Sequence, residues 1–166
     1  NEPAPPAEAA ENKPSQPTVE PHTPEPHAPK EAPLAATPLP GRLCPRETSG
    51  VLIVDGGYNS KPRAVRAALS AAREVAERRG ARLVIALGDM LELGAVSLAE
   101  HREMLAAADR SGADALILVG SELASAVAAL AEPLQTPLRL FADSAAAGAA
   151  VAGLVQAGDL WLVKGS

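Results

Sequence analysis

Five short apolar runs punctuate the chain, at residues 51–54, 83–87, 115–119, 138–141 and 160–163. Most are continuous rather than alternating, and a continuous apolar run of strand length implies burial on both faces, as in a parallel sheet covered by helices. Helical patterns lie between them. Val65, Ala68, Leu69, Ala72, Val75 and Ala76 recur at helical spacing behind Pro62, a residue favoured in a first turn. A second helix is expected to open on Ser97-x-x-Glu100, which has the form of a capping box, and to run through Met104, Leu105 and Ala108. Shorter helices are expected over about 121–131 and 144–156. Strand and helix in strict alternation predict an α/β fold, a mostly parallel sheet joined by right-handed crossovers.

The first forty positions do not share this pattern. They hold 12 of the 16 prolines, none of the 13 glycines, and six glutamates against two lysines, which is four of the five net negative charges of the chain. Such a segment cannot bury enough apolar surface to offset its ordering entropy. Residues 1–40 are therefore expected to form a disordered Pro/Ala/Glu-rich arm, and residues 41–166 the folded domain. With one Trp, one Tyr and one Phe, that domain must pack through aliphatic side chains. The absence of a basic patch argues against nucleic acid and anionic membrane as partners. No apolar run reaches the roughly 18 residues of a span, so no membrane insertion is expected. The single cysteine, Cys44, excludes an internal disulfide and suits a reducing cytoplasm, the expected location.

In parallel α/β sheets ligands bind outside the carboxyl ends of the strands. The residues just past each run are therefore the candidate site: Asp55-Gly56-Gly57-Tyr58-Asn59, then Gly88-Asp89-Met90-Leu91-Glu92-Leu93-Gly94, then Gly120-Ser121, Ala142-Asp143-Ser144 and Lys164-Gly165-Ser166. Neither G-x-G-x-x-G nor G-x-x-x-x-G-K-[ST] occurs, so the chain carries no dinucleotide fingerprint and no P-loop. Gly56-Gly57 reads equally well as a tight strand-to-helix turn. Asp89 and Glu92, three apart between glycines, suit metal binding or acid–base work, or are simply solvated loop carboxylates. His101 falls on the apolar side of its helix and reads as a half-buried group bonded to a loop. Lys164, after Leu-Trp-Leu-Val, brings a charge to the site edge, where an anion is its natural partner. Asp55 and Lys164 together fit the acidic pocket of a response-regulator receiver, but that fold needs an aspartate at the end of the third run, which instead ends Leu118-Val119-Gly120.

Leu87-Gly88-Asp89-Met90-Leu91-Glu92-Leu93-Gly94, with Ser97 and then His101-Arg102, resembles over sixteen consecutive positions the most distinctive motif of the Mur ligases that add D-alanyl-D-alanine. Pro40-Gly41-Arg42-Leu43 is similar to the entry into their third domain. Tyr58-Asn59 before Pro62 is similar to their Asp-x-Tyr-Asn-Ala-Asn-Pro turn, and Leu162-Val163-Lys164-Gly165-Ser166 to the strand before their final helix. The resemblance implies a Rossmann-like three-layer domain, the carboxy-terminal one of the ligase, with the segment 41–166 truncated at its carboxy-terminal end. It implies an ATP-dependent enzyme that phosphorylates the carboxylate of UDP-MurNAc-tripeptide and lets the amine of D-alanyl-D-alanine attack the acyl phosphate. ATP and Mg would be held mainly by a central domain, so no metal ligand and no certain catalytic residue is expected here; the rest of the ligase is the implied protein partner. By matching position, Arg42, Asp55, Tyr58 and Asn59 would face the nucleotide. Asp89, Glu92, Lys164 and Ser166 would line the substrate side, with Ser97 and His101 supporting the loop. Gly56 stands where the family has aspartate, and Lys61 where it has asparagine. A non-catalytic binding module that kept the fold is the alternative reading.

Overall fold

Each continuous apolar run divides its side chains between two cores. In the computed structural model, which describes residues 41–166, Leu83, Ile85 and Leu87 face one side of the sheet and Val84 and Ala86 the other. The arm expected at residues 1–40 lies outside the described residues. In chain order the elements are β1 (Cys44–Thr48), β2 (Val51–Gly56), α1 (Pro62–Arg79), β3 (Leu83–Gly88), α2 (Ser97–Asp109), β4 (Ala115–Val119), α3 (Ser121–Ala128), β5 (Leu138–Phe141), α4 (Ser144–Val151) and β6 (Leu160–Lys164). A 3-10 turn, Gly94–Val96, leads into α2.

The six strands form one sheet in the order β1-β2-β6-β3-β4-β5. Only the β1–β2 pair is antiparallel. The larger core lies under α1, α2 and α3, where Leu69, Leu105 and Leu123 meet Ile85, Leu116, Leu118 and Leu162. The smaller core lies under α4, around Trp161, Val84, Ile117 and Ala147. Burying one such aliphatic side chain contributes roughly 1.5–3 kcal/mol, so alternate residues of every inner strand stabilise opposite layers. The expected three-layer α/β arrangement is the one observed.

Helix α1 starts at Pro62, where the missing N–H costs nothing. Helices α3 and α4 are shorter than expected. Continuing α3 would drive the ring of Pro133 into the carbonyl of Ala129, and Gly153 follows closely on α4. The expected capping box does not form. Val96, not a polar residue, occupies the N-cap of α2, and Ser97 Oγ instead donates to Glu122 Oε2 at 2.6 Å. At the amino end of the sheet Arg82 grips Asp159 with two hydrogen bonds of 2.9 and 2.8 Å. Asp159 is only 2% exposed and also accepts from Gln156 N and Trp161 Nε1. The Arg82 hydrogen bond holds the Asp159 carboxyl below the usual range.

Because β2, β6, β3, β4 and β5 run parallel, their carboxyl ends share one edge. Register places Gly56 beside Lys164, and Gly88 beside Val119. Antiparallel β1 begins at the same edge, with Cys44 opposite Asp55, and so delivers Arg42 and Leu43 there too.

Candidate functional site

Lys164 divides this edge into two clefts. Its side chain lies across the end of β2, where Nζ donates to Gly56 O at 2.9 Å and to Asn59 O. The residue is 4% exposed, and burial pulls its pKa below the usual lysine value. Among the described residues no carboxylate forms an ion pair with it.

The first cleft, of about 340 Å³, is lined by Arg42, Leu43, Tyr58, Asn59, Ala64 and Lys164, together with Gly41 and Gly56. The Arg42 guanidinium stands 4.8 Å over the Tyr58 ring, a cation–π contact on a side chain that is 67% exposed. Tyr58 N donates to Gly41 O at 3.0 Å, which ties the turn after β2 to the entry segment. Two cations and one aromatic face thus surround this cleft, a combination suited to an anionic ligand with a planar ring. Asp55 is not among its lining residues; Oδ1 accepts from Gly57 N at 2.9 Å and shapes the turn after β2.

The second cleft, of about 400 Å³, has an apolar floor of Ala86, Val119 and Val163. Its polar rim comes from Asp89, Ser144, Lys164 and Ser166, and the glycine backbones of Gly57, Gly88 and Gly165 complete it. It therefore offers one cation, one carboxylate and two hydroxyls at close quarters. Ser166 ties the two halves together: its N donates to Asp89 O at 3.2 Å, and its Oγ accepts from Ser60 N at 3.1 Å.

The loop after β3 is pinned at several points. Asp89 Oδ1 and Oδ2 accept from Leu123 N at 2.9 Å and Glu122 N at 3.1 Å, so its charge sits at the amino end of α3, where the helix dipole favours it. His101, fully buried, accepts from Met90 N through Nε2 at 2.9 Å, while Nδ1 lies 2.8 Å from Ser97 O. This geometry fits a neutral ring with the proton on Nδ1, an assignment made from the hydrogen-bond partners. Glu92 lines neither cleft. It is exposed, adopts a positive φ of 63°, and stands 3.8 Å from Lys61 Nζ. The edge thus brings together Arg42, Tyr58, Asn59, Asp89, Lys164 and Ser166, and leaves Asp55 and Glu92 outside the two linings. Leu43 and Ala64 carry no chemistry a sequence could flag. The contribution of Ser144 was signalled only by its place after β5.

A family model described as Mur ligase, glutamate ligase domain, matches residues 41–166. The chain belongs to the Mur ligase family. No curated relative matches it by sequence. Among solved structures it is similar to the MurF ligase from Thermotoga maritima in complex with ADP, with 26% identity and a TM-score of 0.62, over 80% of this chain and 29% of that one. A MurF structure from Acinetobacter baumannii matches with 28% identity and a TM-score of 0.65, over 80% and 29% of the two chains. A second A. baumannii structure, named as the UDP-N-acetylmuramoylalanyl-D-glutamyl-2,6-diaminopimelate–D-alanyl-D-alanyl ligase, matches at 26% and 0.62, over 80% and 27%. The chain thus spans under a third of the length of each. Its described part is a Mur ligase carboxy-terminal-type domain, and no helix of that part is long and apolar enough to cross a membrane.

Proposed function

We propose that this domain serves an ATP-dependent ligase of peptidoglycan precursor synthesis, adding D-alanyl-D-alanine to UDP-MurNAc-tripeptide through an acyl phosphate. The observation that carries the reading is the partition by Lys164. One side of it has Arg42, Tyr58 and Asn59, which fit an anionic nucleotide; the other has Asp89, Ser144 and Ser166 on small glycine walls, which fit a small zwitterion. A dipeptide of alanines carries one ammonium and one carboxylate at modest volume, and matches Asp89 and Lys164 in sign. The solved relatives are MurF ligases, one of them with ADP bound.

ATP with Mg would supply the phosphoryl group that activates the tripeptide carboxylate, held mainly by a P-loop domain that the sequence of this chain does not contain. The part played by these residues is to orient and to exclude water. Arg42 and Tyr58 would hold one end of the nucleotide, while the pinned 88–96 loop and Ser166 form a stiff lip. Closing the domain so that this lip covers the reactants would shield an acyl phosphate from hydrolysis. The partners are therefore the two substrates and the remainder of the ligase, working in the cytoplasm.

Calorimetric titration of the full chain with ADP and with D-alanyl-D-alanine tests the reading. Two separable sites are expected, with Arg42→Ala weakening ADP alone. A companion assay adds the chain to the amino-terminal and central domains of a MurF ligase. Phosphate release that requires the tripeptide, the dipeptide and this chain together is the expected result. Binding without any such release would instead favour a non-catalytic module that kept the fold.

A further inference from the structure

Gly56 and Lys164 are direct partners across the β2–β6 ladder. A Cβ on Gly56 would stand 2.8 Å from Lys164 Cδ, 2.9 Å from Leu43 Cδ2 and 3.2 Å from Val163 O. The bare glycine is therefore what allows the lysine to lie flat over the end of β2. Among the described residues two acceptors are in reach of Nζ, and both are neutral carbonyls, Gly56 O and Asn59 O. An ammonium has three N–H donors, so one remains for a ligand, on a residue that lines both clefts. A buried cation without an opposite charge is costly, and an anion that completes its shell recovers that cost. A carboxylate side chain in place of Gly56 would both displace the lysine and neutralise it.

We propose that Gly56 creates an anion subsite at Lys164, open to the phosphate oxygens of a ligand in the first cleft or the carboxylate of one in the second, and that filling this position with an acidic side chain closes the subsite. This deepens the ligase reading by naming the group that the lysine receives. It rests on that reading only for the identity of the natural ligand, not for the existence of the site. The two cations of the first cleft, Arg42 and Lys164, and the single opposed pair of the second, Lys164 and Asp89, give the two sources distinguishable signatures.

The test uses the full chain and inorganic phosphate and acetate as probes, read from the Lys164 Nζ resonance and the backbone amides of Gly57 and Gly165. In the wild type, either probe should shift these signals saturably and raise the titration midpoint of Lys164. Lys164→Gln and Gly56→Asp should each weaken the response at least tenfold, while Gly148→Ala, in α4 with open space around its Cβ, should leave it unchanged. Gly56→Ala provides a milder displacement should the aspartate variant fail to fold, with an intermediate loss expected. Phosphate responding more strongly than acetate assigns the subsite to the first cleft, and the reverse assigns it to the second. A response that is absent in the wild type, or equal in wild type and a folded Gly56→Asp, overturns the proposal. Titration of the same samples with ADP and D-alanyl-D-alanine separates the two questions: loss of those ligands with the small-anion response intact counts against the ligase reading alone.

Discussion

Gly120 sits so closely beneath Asp89 that a Cβ on the glycine would stand 2.3 Å from Asp89 Oδ2. The glycine has a φ of +120°, a region that side chains rarely adopt. The end of β4 and the loop after β3 are therefore fitted to each other. Gly120→Ala should destabilise the domain by about 3 kcal/mol, from strain and clash together. Denaturant unfolding followed by circular dichroism measures it, and a loss below about 1 kcal/mol would show that the loop gives way easily.

Asp89 accepts two amide bonds at the start of α3, so Asp89→Ala should cost about 1–2 kcal/mol. Asp89→Asn, which keeps an acceptor but not the charge, should recover about half of that in the same unfolding experiment. Equal losses in the two variants would mean that the charge carries the whole effect, and no loss in Asp89→Asn would mean that the charge contributes nothing at the helix end.

His101 fills a fully buried position and accepts from Met90 N. His101→Ala should cost about 3 kcal/mol through the void and the orphaned amide. Amide exchange should localise the effect, with protection at Met90 falling far more than at Ile85. Uniform loss across the sheet would contradict a local role.

Stability should fall in acid through Asp159. Its folded pKa is depressed by the Arg82 hydrogen bond, so the stabilisation is fully present above the unfolded value near 4 and is lost as pH falls through the lower folded value. Asp159→Asn should lower stability at neutral pH and flatten the acid limb of a stability–pH curve. An unchanged acid limb in that variant would assign acid sensitivity elsewhere.

Lys61 and Glu92 lie 3.8 Å apart on exposed side chains, 55% and 86% accessible. Lys61→Ala should therefore change stability by less than about 0.5 kcal/mol. Lys61 also lines neither cleft, so ADP affinity should stay within roughly twofold once salt is present to screen distant charge. A tenfold loss would place Lys61 in contact with the nucleotide.

The five parallel strands and four helices were legible because two-sided burial writes itself as unbroken apolar runs, as in 115–119. Strand β1 was not, since Cys-Pro-Arg-Glu-Thr is a mostly exposed edge with no apolar alternation to betray it. The Arg82–Asp159 pair joins residues 77 apart, and nothing local marks either one. Ser97-x-x-Glu100 had the right spacing for a cap but the wrong approach, because the 3-10 turn Gly94–Val96 runs straight into α2 and frees Ser97 for Glu122. The edge residues could be collected from the positions just past each strand. That Lys164 would lie flat upon neutral carbonyls required the register of β2 against β6, and that register is a property of the assembled sheet.

Strand β6 is the last of the six in chain order, yet it sits between β2 and β3. During synthesis the earlier strands emerge as two separate ribbons, β1–β2 and β3–β4–β5, each with an open edge awaiting the same five residues. Such late, long-range closure is intrinsically slow and leaves unpaired edges exposed meanwhile. The nascent domain is therefore most vulnerable to aggregation just before Leu160–Lys164 leaves the ribosome, and its two clefts, which share Lys164, are completed only when that strand pairs.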